Sequence, residues 1–247
     1  MTTLFKPCIL IPVYNHEKPL PRIVERLAAR QLPCLLLDDG SDASCAEVIR
    51  GLAEQYALVQ TIRFEVNQGK GAVVKSGILA ALAQGYSHAL QIDADGQHDL
   101  NDLDKFLNAA EQAPEAVVIG RALFDASIPK LRYYARYLTH VWVHINTLSW
   151  AIPDSMCGYR VYPLASTAKL IQTIAMENRM GFDTEILVRL YWQGVSIISI
   201  PTQVRYPLDG LSHFRAWEDN LLLSQTHARL FFGMLLRWPK LLLRHFR

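Results

Sequence analysis

The sequence predicts an α/β fold with a mostly parallel central sheet flanked by helices, and three observations carry that expectation. Short apolar runs alternate with helix-period segments through the first 120 residues. The 247-residue chain is 51% hydrophobic, enough for a sizeable core. A polar cluster follows each of the first four apolar runs: "YNH", "DDGSD", "NQGKG" and "DADGQ" in turn. Ligands of open parallel sheets bind beyond the carboxyl ends of the strands, so these clusters are expected to converge on one edge.

In chain order, strands are expected at 7–13 ("PCILIPV"), 34–39 ("CLLLDD"), 58–64 ("LVQTIRF"), 88–93 ("HALQID") and 116–120 ("AVVIG"). Such near-continuous apolar runs suit parallel strands buried on both faces. Between them, "PLPRIVERLAARQ", "SCAEVIRGLAEQ", "GAVVKSGILAALAQG" and "LNDLDKFLNAAEQ" carry apolar residues three and four apart, the helical period. Residues 131–151 continue with an aromatic and aliphatic stripe at helical spacing, which core packing explains for most positions. "GFDTEILVRL" begins a further helix bearing Asp183 and Glu185, acids that the helix dipole favours there in any case. Residues 207–247 form an amphipathic helical tail, with Arg237, Lys240, Arg244 and Arg247 among leucines, Trp238 and Phe246; Pro239 is expected to kink or break it. A lipid–water interface and a packed helix or dimer contact both fit such a tail.

A formal net charge of +2 gives no support for a nucleic-acid partner. Cys8, Cys34, Cys45 and Cys157 show no metal-ligand spacing, and the default is buried thiols. The amino terminus has no signal-peptide layout, and no apolar run is long enough to span a bilayer. A cytosolic protein, or one on the cytosolic face of a membrane, is expected.

"LQIDADGQHDL" places Asp93, Asp95 and Gln97 two residues apart. In extended chain all three face one way, a poor core and a good seat for a hard cation such as magnesium or manganese. On spacing alone, a solvated strand exit capped by Asp99 explains the stretch equally well. "NQGKGAVVKSG" has glycines and lysines but does not match a phosphate loop, and the first strand lacks the dinucleotide fingerprint. What remains is a helix starting near Gly71, with its dipole, Lys70 and Lys75. Taken alone, a glycine turn with solvated lysines is the better account.

Together, "ILIPVYNH", "LLDDGSD", "NQGKGAVVKSG", "QIDADGQH", "IGRA", "DSMCGYRVYP" and "GFDTEILVR" resemble, in order, the blocks of family-2 inverting glycosyltransferases over residues 7–206. The branch they most resemble is the dolichyl- and polyprenyl-phosphate mannosyl- and glucosyltransferases. The resemblance implies a GT-A-like, nucleotide-diphospho-sugar-binding fold. Residues 1–206 would be one domain, with a donor half at 1–120 and an acceptor half at 121–206. It implies that Pro12, Tyr14, Asn15, Asp39, Asn67 and Lys70 bind the nucleotide sugar with Asp93 and Asp95. Asp93, Asp95 and Gln97 would hold Mg2+ or Mn2+. Family proteins usually have glutamate after "YN"; His16 stands here, so the contact made at that position does not carry over.

The same resemblance puts Asp154 near the reaction centre, and Asp183 or Glu185 on a segment that often supplies a general base. On a helix those two acids point about 200° apart, so both cannot face the sugar. Arg121, Arg132, Arg136 and Arg160 are the cations available to an acceptor phosphate. A hydroxyl acceptor must lose its proton and needs a base, Asp154 being favoured; an ionised lipid phosphate does not. The expected partners are a nucleotide-diphosphate sugar, a lipid or lipid-phosphate acceptor and a membrane surface. A nucleotidyltransferase would carry its glycine-rich loop after the first strand, where "PVYNH" stands. A silent binding or scaffold protein would be expected to have lost the acids that are intact here.

Overall fold

The computed structural model describes residues 4–124, 130–205 and 216–244, without the side chains of residues 130–132, 135 and 216–219. The strands are β1 (Pro7–Val13), β2 (Cys34–Asp38), β3 (Val59–Arg63), β4 (His88–Gln91), β5 (Val117–Phe124), β6 (Arg160–Pro163) and β7 (Ile197–Val204). Among the described residues they form one sheet in the order β3-β2-β1-β4-β6-β5-β7. All neighbours run parallel except β6, which lies antiparallel between β4 and β5.

Helices α1 (Leu20–Ala28), α2 (Ala43–Gln55), α3 (Lys70–Ala83) and α4 (Leu103–Gln112) connect the first five strands. They are followed by α5 (Lys130–Thr147), α6 (Leu164–Thr173), α7 (Phe182–Trp192), α8 (Ala216–Leu235) and α9 (Trp238–Leu243). Strand alternation divides the core in two. Cys8 and Leu10 of β1 face Val74 and Ile78 of α3 and, further on, Phe182 and Ile186 of α7. Ile9 and Ile11 face the other layer, with Ile23, Val24 and Leu27 of α1 and Phe106 of α4. Each such fully buried side chain contributes about 1.5–3 kcal/mol. The runs of β1, β2 and β4 are therefore strands covered on both faces, while β3, at the sheet margin, buries only Val59.

Three expectations need adjustment. β4 ends at Gln91, so Asp93, Asp95 and Gln97 lie beyond the strand, and alternation does not set their directions. Instead the chain turns at Ala94–Gly96, where Gly96 adopts φ 74°. β5 runs on to Phe124, four residues past its expected end, because β7 pairs with its whole length. The carboxyl-terminal helices are built into the domain: Leu230, Met234 and Leu241 are buried with α7 residues. Arg244 reaches back to the carbonyls of Tyr191, Gly194 and Val195. Arg247 and Phe246 lie outside the described residues.

Candidate active site

At the carboxyl edge of the sheet, the first two loops are tied to each other. Pro12 and Tyr14 are half-buried where β1 ends. Asn15 follows in the left-handed region, φ 54°, which asparagine tolerates better than most residues. Its N–H donates to Ser41 Oγ at 3.2 Å, and its Oδ1 accepts from Asp42 N at 2.9 Å.

The paired acids after β2 have separate duties. Asp38 accepts from Ser41 N at 2.8 Å and pairs with Arg63, which orders its turn. Asp39 accepts from Gln68 N at 2.7 Å, Gly69 N at 2.9 Å and Asn67 Nδ2 at 2.8 Å. Burial raises the pKa of Asp39 against the lowering effect of those two backbone donors. Asp39 and Asn67 thus fix the loop that carries Lys70 into the site.

Lys70 is the centre of the site. Its Nζ lies 2.7 Å from Asp93 Oδ1 and 2.8 Å from Asp183 Oδ2, joining three separate elements. Burial alone would disfavour the ammonium, but the charges of Asp183 and Asp93 outweigh it and hold its pKa above the ordinary lysine value. Burial likewise opposes the Asp93 carboxylate, and Lys70 and His98 overcome it and depress its pKa. His98 Nε2 approaches Asp93 Oδ2 at 3.4 Å. Asp95 Oδ1 accepts from Gln97 N at 3.0 Å. Its pKa is raised by burial and then by the nearby Asp93 charge.

Among the described residues, no three His, Cys, Asp or Glu side chains converge as a metal cage. Asp93, Asp95 and Gln97 are each half-buried at this edge and carry hard oxygens. Magnesium is commonly held in that way, by one or two carboxylates with substrate phosphates completing the shell. Burial first and the Asp93 charge second raise the Asp95 pKa, and a cation would offset the charge repulsion, so these carboxylates fit Mg2+ or Mn2+.

The other acids are placed differently from one another. Asp183 is 9% exposed at its side chain and shares the site with Lys70; Arg160 stands 3.5 Å from its other oxygen. Glu185 turns away, into Arg189 at 2.7 Å, Arg229 at 3.2 Å and the N–H of Glu177 at 2.8 Å. Asp154 is buried, and its oxygens accept from Arg136 at 2.7 Å and from the N–H groups of Ala122, Met156 and Cys157. Against burial, Arg136 holds the Asp154 pKa below the usual carboxylate range. A carboxylate so occupied is a poor proton acceptor, and the geometry makes Asp154 an anchor.

The expected phosphate-binding cations are also redistributed. Arg160 is fully buried and donates to the carbonyls of Ser155, Cys157 and Asp183, so it braces the 154–158 loop against α7. Arg121 is exposed on β5, and the side chain of Arg132 lies outside the described residues. Lys75 donates to Met176 O and Asn178 Oδ1. The first turn of α3 is covered by Asn178 O, which accepts from Ala72 N at 3.0 Å. Protein thus occupies Ala72 N at that helix start, and Lys75 is bound to protein where a solvated lysine was the favoured account.

Two contributors escaped the sequence reading. His98 sits next to the acidic motif, but nothing in its spacing says that its ring turns back to Asp93. Gly158 packs against Asp93: a Cβ there would lie 2.1 Å from Oδ2. The only sequence signal for it is a glycine inside the "DSMCGYR" block.

The mostly parallel sheet with acids at its strand ends is the architecture of a GT-A-type transferase. The family model described as Glycosyl transferase family 2 matches residues 8–165, and the chain belongs to that family: it is a glycosyltransferase. Among curated relatives, it is 26% identical over 211 residues to polyprenol monophosphomannose synthase of Mycolicibacterium smegmatis, covering 78% of this chain and 75% of that one. It is 28% identical over 204 residues to dolichyl-phosphate beta-glucosyltransferase of Mus musculus, covering 72% of this chain and 61% of the relative. Its fold matches glucosyl-3-phosphoglycerate synthase of Mycobacterium tuberculosis, solved with Mn2+, UDP and glucosyl-3-phosphoglycerate. The TM-score is 0.65 at 12% identity, over 94% of this chain and 80% of that one. It also matches a mannosyltransferase of Pyrobaculum calidifontis solved with GDP-mannose and Mn2+, with a TM-score of 0.62 at 14% identity, over 94% and 64%. These folds are of the GT-A type.

Proposed function

We propose that this glycosyltransferase moves a sugar, with inversion, from a nucleotide-diphosphate sugar to a lipid phosphate, using Mg2+ or Mn2+. The observation that carries the reading is the Asp93–Lys70–Asp183 constellation beside Asp95, at the sheet edge where donors bind. Relatives named for polyprenol, dolichyl and undecaprenyl phosphates support the acceptor class. Neighbours solved with Mn2+ and nucleotide sugars support the donor and cation.

Pro12, Tyr14, Asn15 and the Asp39-anchored loop bind the nucleoside. Asp93, Asp95 and Gln97 hold the cation, which supplies Lewis-acid neutralisation of the departing diphosphate. Lys70 adds a second positive charge at the leaving group. Asp183, the one acid of the acceptor half beside Lys70 and Asp93 among the described residues, orients the incoming oxygen. It need not take a proton from a phosphate, whose second pKa is about 6. Glu185 and Asp154 act as scaffolding, and Arg121 and Arg132 receive the acceptor phosphate.

The membrane side of the reading rests on helix faces. Tyr133, Tyr134, Tyr137, Leu138 and Trp142 of α5 are exposed, as are Phe232 of α8, Leu236 in the turn that follows, and Trp238 and Leu243 of α9. Aromatic and aliphatic residues of this kind suit a lipid interface. No helix among the described residues is long and apolar enough to cross a membrane. We place the enzyme at the cytosolic membrane surface.

The test is a panel of radiolabelled nucleotide sugars with polyprenyl phosphate in vesicles, with and without Mn2+. Transfer with Mn2+ and an inverted anomeric centre is expected. Retention of configuration, or transfer only to a non-lipid hydroxyl, would overturn the proposal.

A further inference from the structure

We infer that Lys70 is the resident cation of the metal site and must be displaced for a divalent cation to enter, so that metal and donor diphosphate load together. The inference rests on the metal reading above. Three observations support it.

The first is occupancy. The Lys70 ammonium already binds Asp93 Oδ1, an oxygen of the acidic motif, and bridges it to Asp183 on α7. A divalent cation on the same carboxylate meets a neighbouring positive charge in a site largely screened from water. Repulsion there is much stronger than on an exposed surface.

The second is the lack of alternatives for Asp93. Its other oxygen faces His98 at 3.4 Å, and a Cβ at Gly158 would lie 2.1 Å from that same oxygen, so backbone lines that side of the carboxylate. The side chain able to move is the lysine, whose flexible stem carries a compact charge.

The third is a destination. A diphosphate brings new anionic oxygens to the same edge, and charge-assisted hydrogen bonds to them replace those Lys70 gives up. Asp39 holds the Lys70 loop through Gln68 N and Gly69 N, so the ammonium moves on its own stem while the backbone stays. Coupling of this type between two ligands is commonly about 5–150-fold.

The experiment measures Mn2+ binding by electron paramagnetic resonance on the full chain, alone and with UDP or GDP. Wild type is expected to bind Mn2+ weakly alone and at least about tenfold more tightly with the matching nucleotide. Lys70→Met removes the charge at similar length. It is expected to bind Mn2+ alone at least about tenfold more tightly than wild type, and to lose most of the nucleotide effect.

A second measurement needs no variant and guards against misfolding of Lys70→Met. Labelling of Lys70 by a small amine reagent, read by mass spectrometry, is expected to be slow in the free protein and faster with Mn2+ alone at saturating concentration. Equal Mn2+ affinity in wild type and Lys70→Met, or labelling unchanged while Mn2+ binds, overturns the exchange and leaves the metal assignment standing. No Mn2+ binding in any combination overturns both.

Discussion

One Arg136 nitrogen, Nη2, lies 2.7 Å from both carboxylate oxygens of Asp154, across the gap between α5 and the loop that leads to β6. The pair is largely buried, with side chains 14% and 3% exposed. Removing one charge of such a pair leaves the other stranded, a cost of about 3–5 kcal/mol. Asp154→Asn should therefore lower the denaturant midpoint markedly. Its pH–rate profile on a lipid phosphate should keep the wild-type shape, because no proton transfer is lost.

Asp95→Ala should abolish stabilisation by nucleotide with Mn2+ in thermal melts. Turnover should fall by roughly a hundredfold to a thousandfold, as when one charge-stabilising group is deleted. Asp39→Ala releases the Asn67–Gly69 loop and should raise the donor KM while leaving Mn2+ affinity close to wild type. Normal Mn2+-dependent turnover in folded Asp95→Ala protein would remove the metal assignment.

Gly158→Ala would place its methyl group 2.1 Å from Asp93 Oδ2. The short, ion-paired aspartate cannot move without breaking its contact with Lys70. Loss of Mn2+-dependent turnover is expected with a smaller change in melting temperature. Unchanged kinetics would show that the loop yields instead.

The buried imidazole of His227, on α8, meets Asn146 Nδ2 at 3.3 Å and the Trp142 ring at 6.1 Å. Burial lowers its pKa from 6.5 to about 4. A folded pKa below the unfolded one gives stability that is complete above about pH 6.5 and drains away as pH falls through about 4. The full span is roughly 3 kcal/mol. His227→Gln should flatten the difference between denaturation at pH 7 and pH 4.5 relative to wild type. Parallel curves would show that this site does not carry the acid sensitivity.

For the membrane surface, deleting the tail is the wrong test, since Met234 and Leu241 are core residues and Arg244 anchors α9. Serine at the exposed Leu236, Trp238 and Leu243 should weaken sedimentation with vesicles while leaving the melting temperature within a few degrees. Of the basic residues, Arg237 lies over the Trp192 ring and Arg244 is bound to carbonyls, so the salt dependence should be shallow. Full vesicle binding by the triple variant would exclude this face.

β1 and β2 were legible because their residues are apolar on both faces, as strands of a covered sheet are, whereas β3, at the sheet margin, is mostly exposed. β6 was not legible. Four residues, "RVYP", give no period, and what makes them a strand is the gap between β4 and β5. β7 carries Pro201 and gives no clean strand pattern; it is the sheet edge among the described residues, where a missing N–H is tolerated. At the site, the acids announced themselves by position at strand ends, but their partners come from distant segments. Nothing in the spacing shows that Lys70 joins Asp93 to Asp183. Nor does it show that Arg160 is buried, or that Arg136 occupies the acid favoured as base.

The antiparallel insertion of β6 has a consequence for synthesis. Until it arrives, β4 is the open margin of a four-stranded β3-β2-β1-β4 sheet, since Gln91 pairs with Arg160. About seventy residues separate those partners, several seconds of translation at about 5–20 residues per second. During that interval an apolar strand margin stands ready to pair with another chain, an aggregation hazard. Gly158 also reaches Asp93 only when this strand closes. Asp93 and Asp95 are made early but acquire their final surroundings late, so a nascent or truncated chain lacking β6 is exposed to self-association and lacks the Gly158 wall against Asp93.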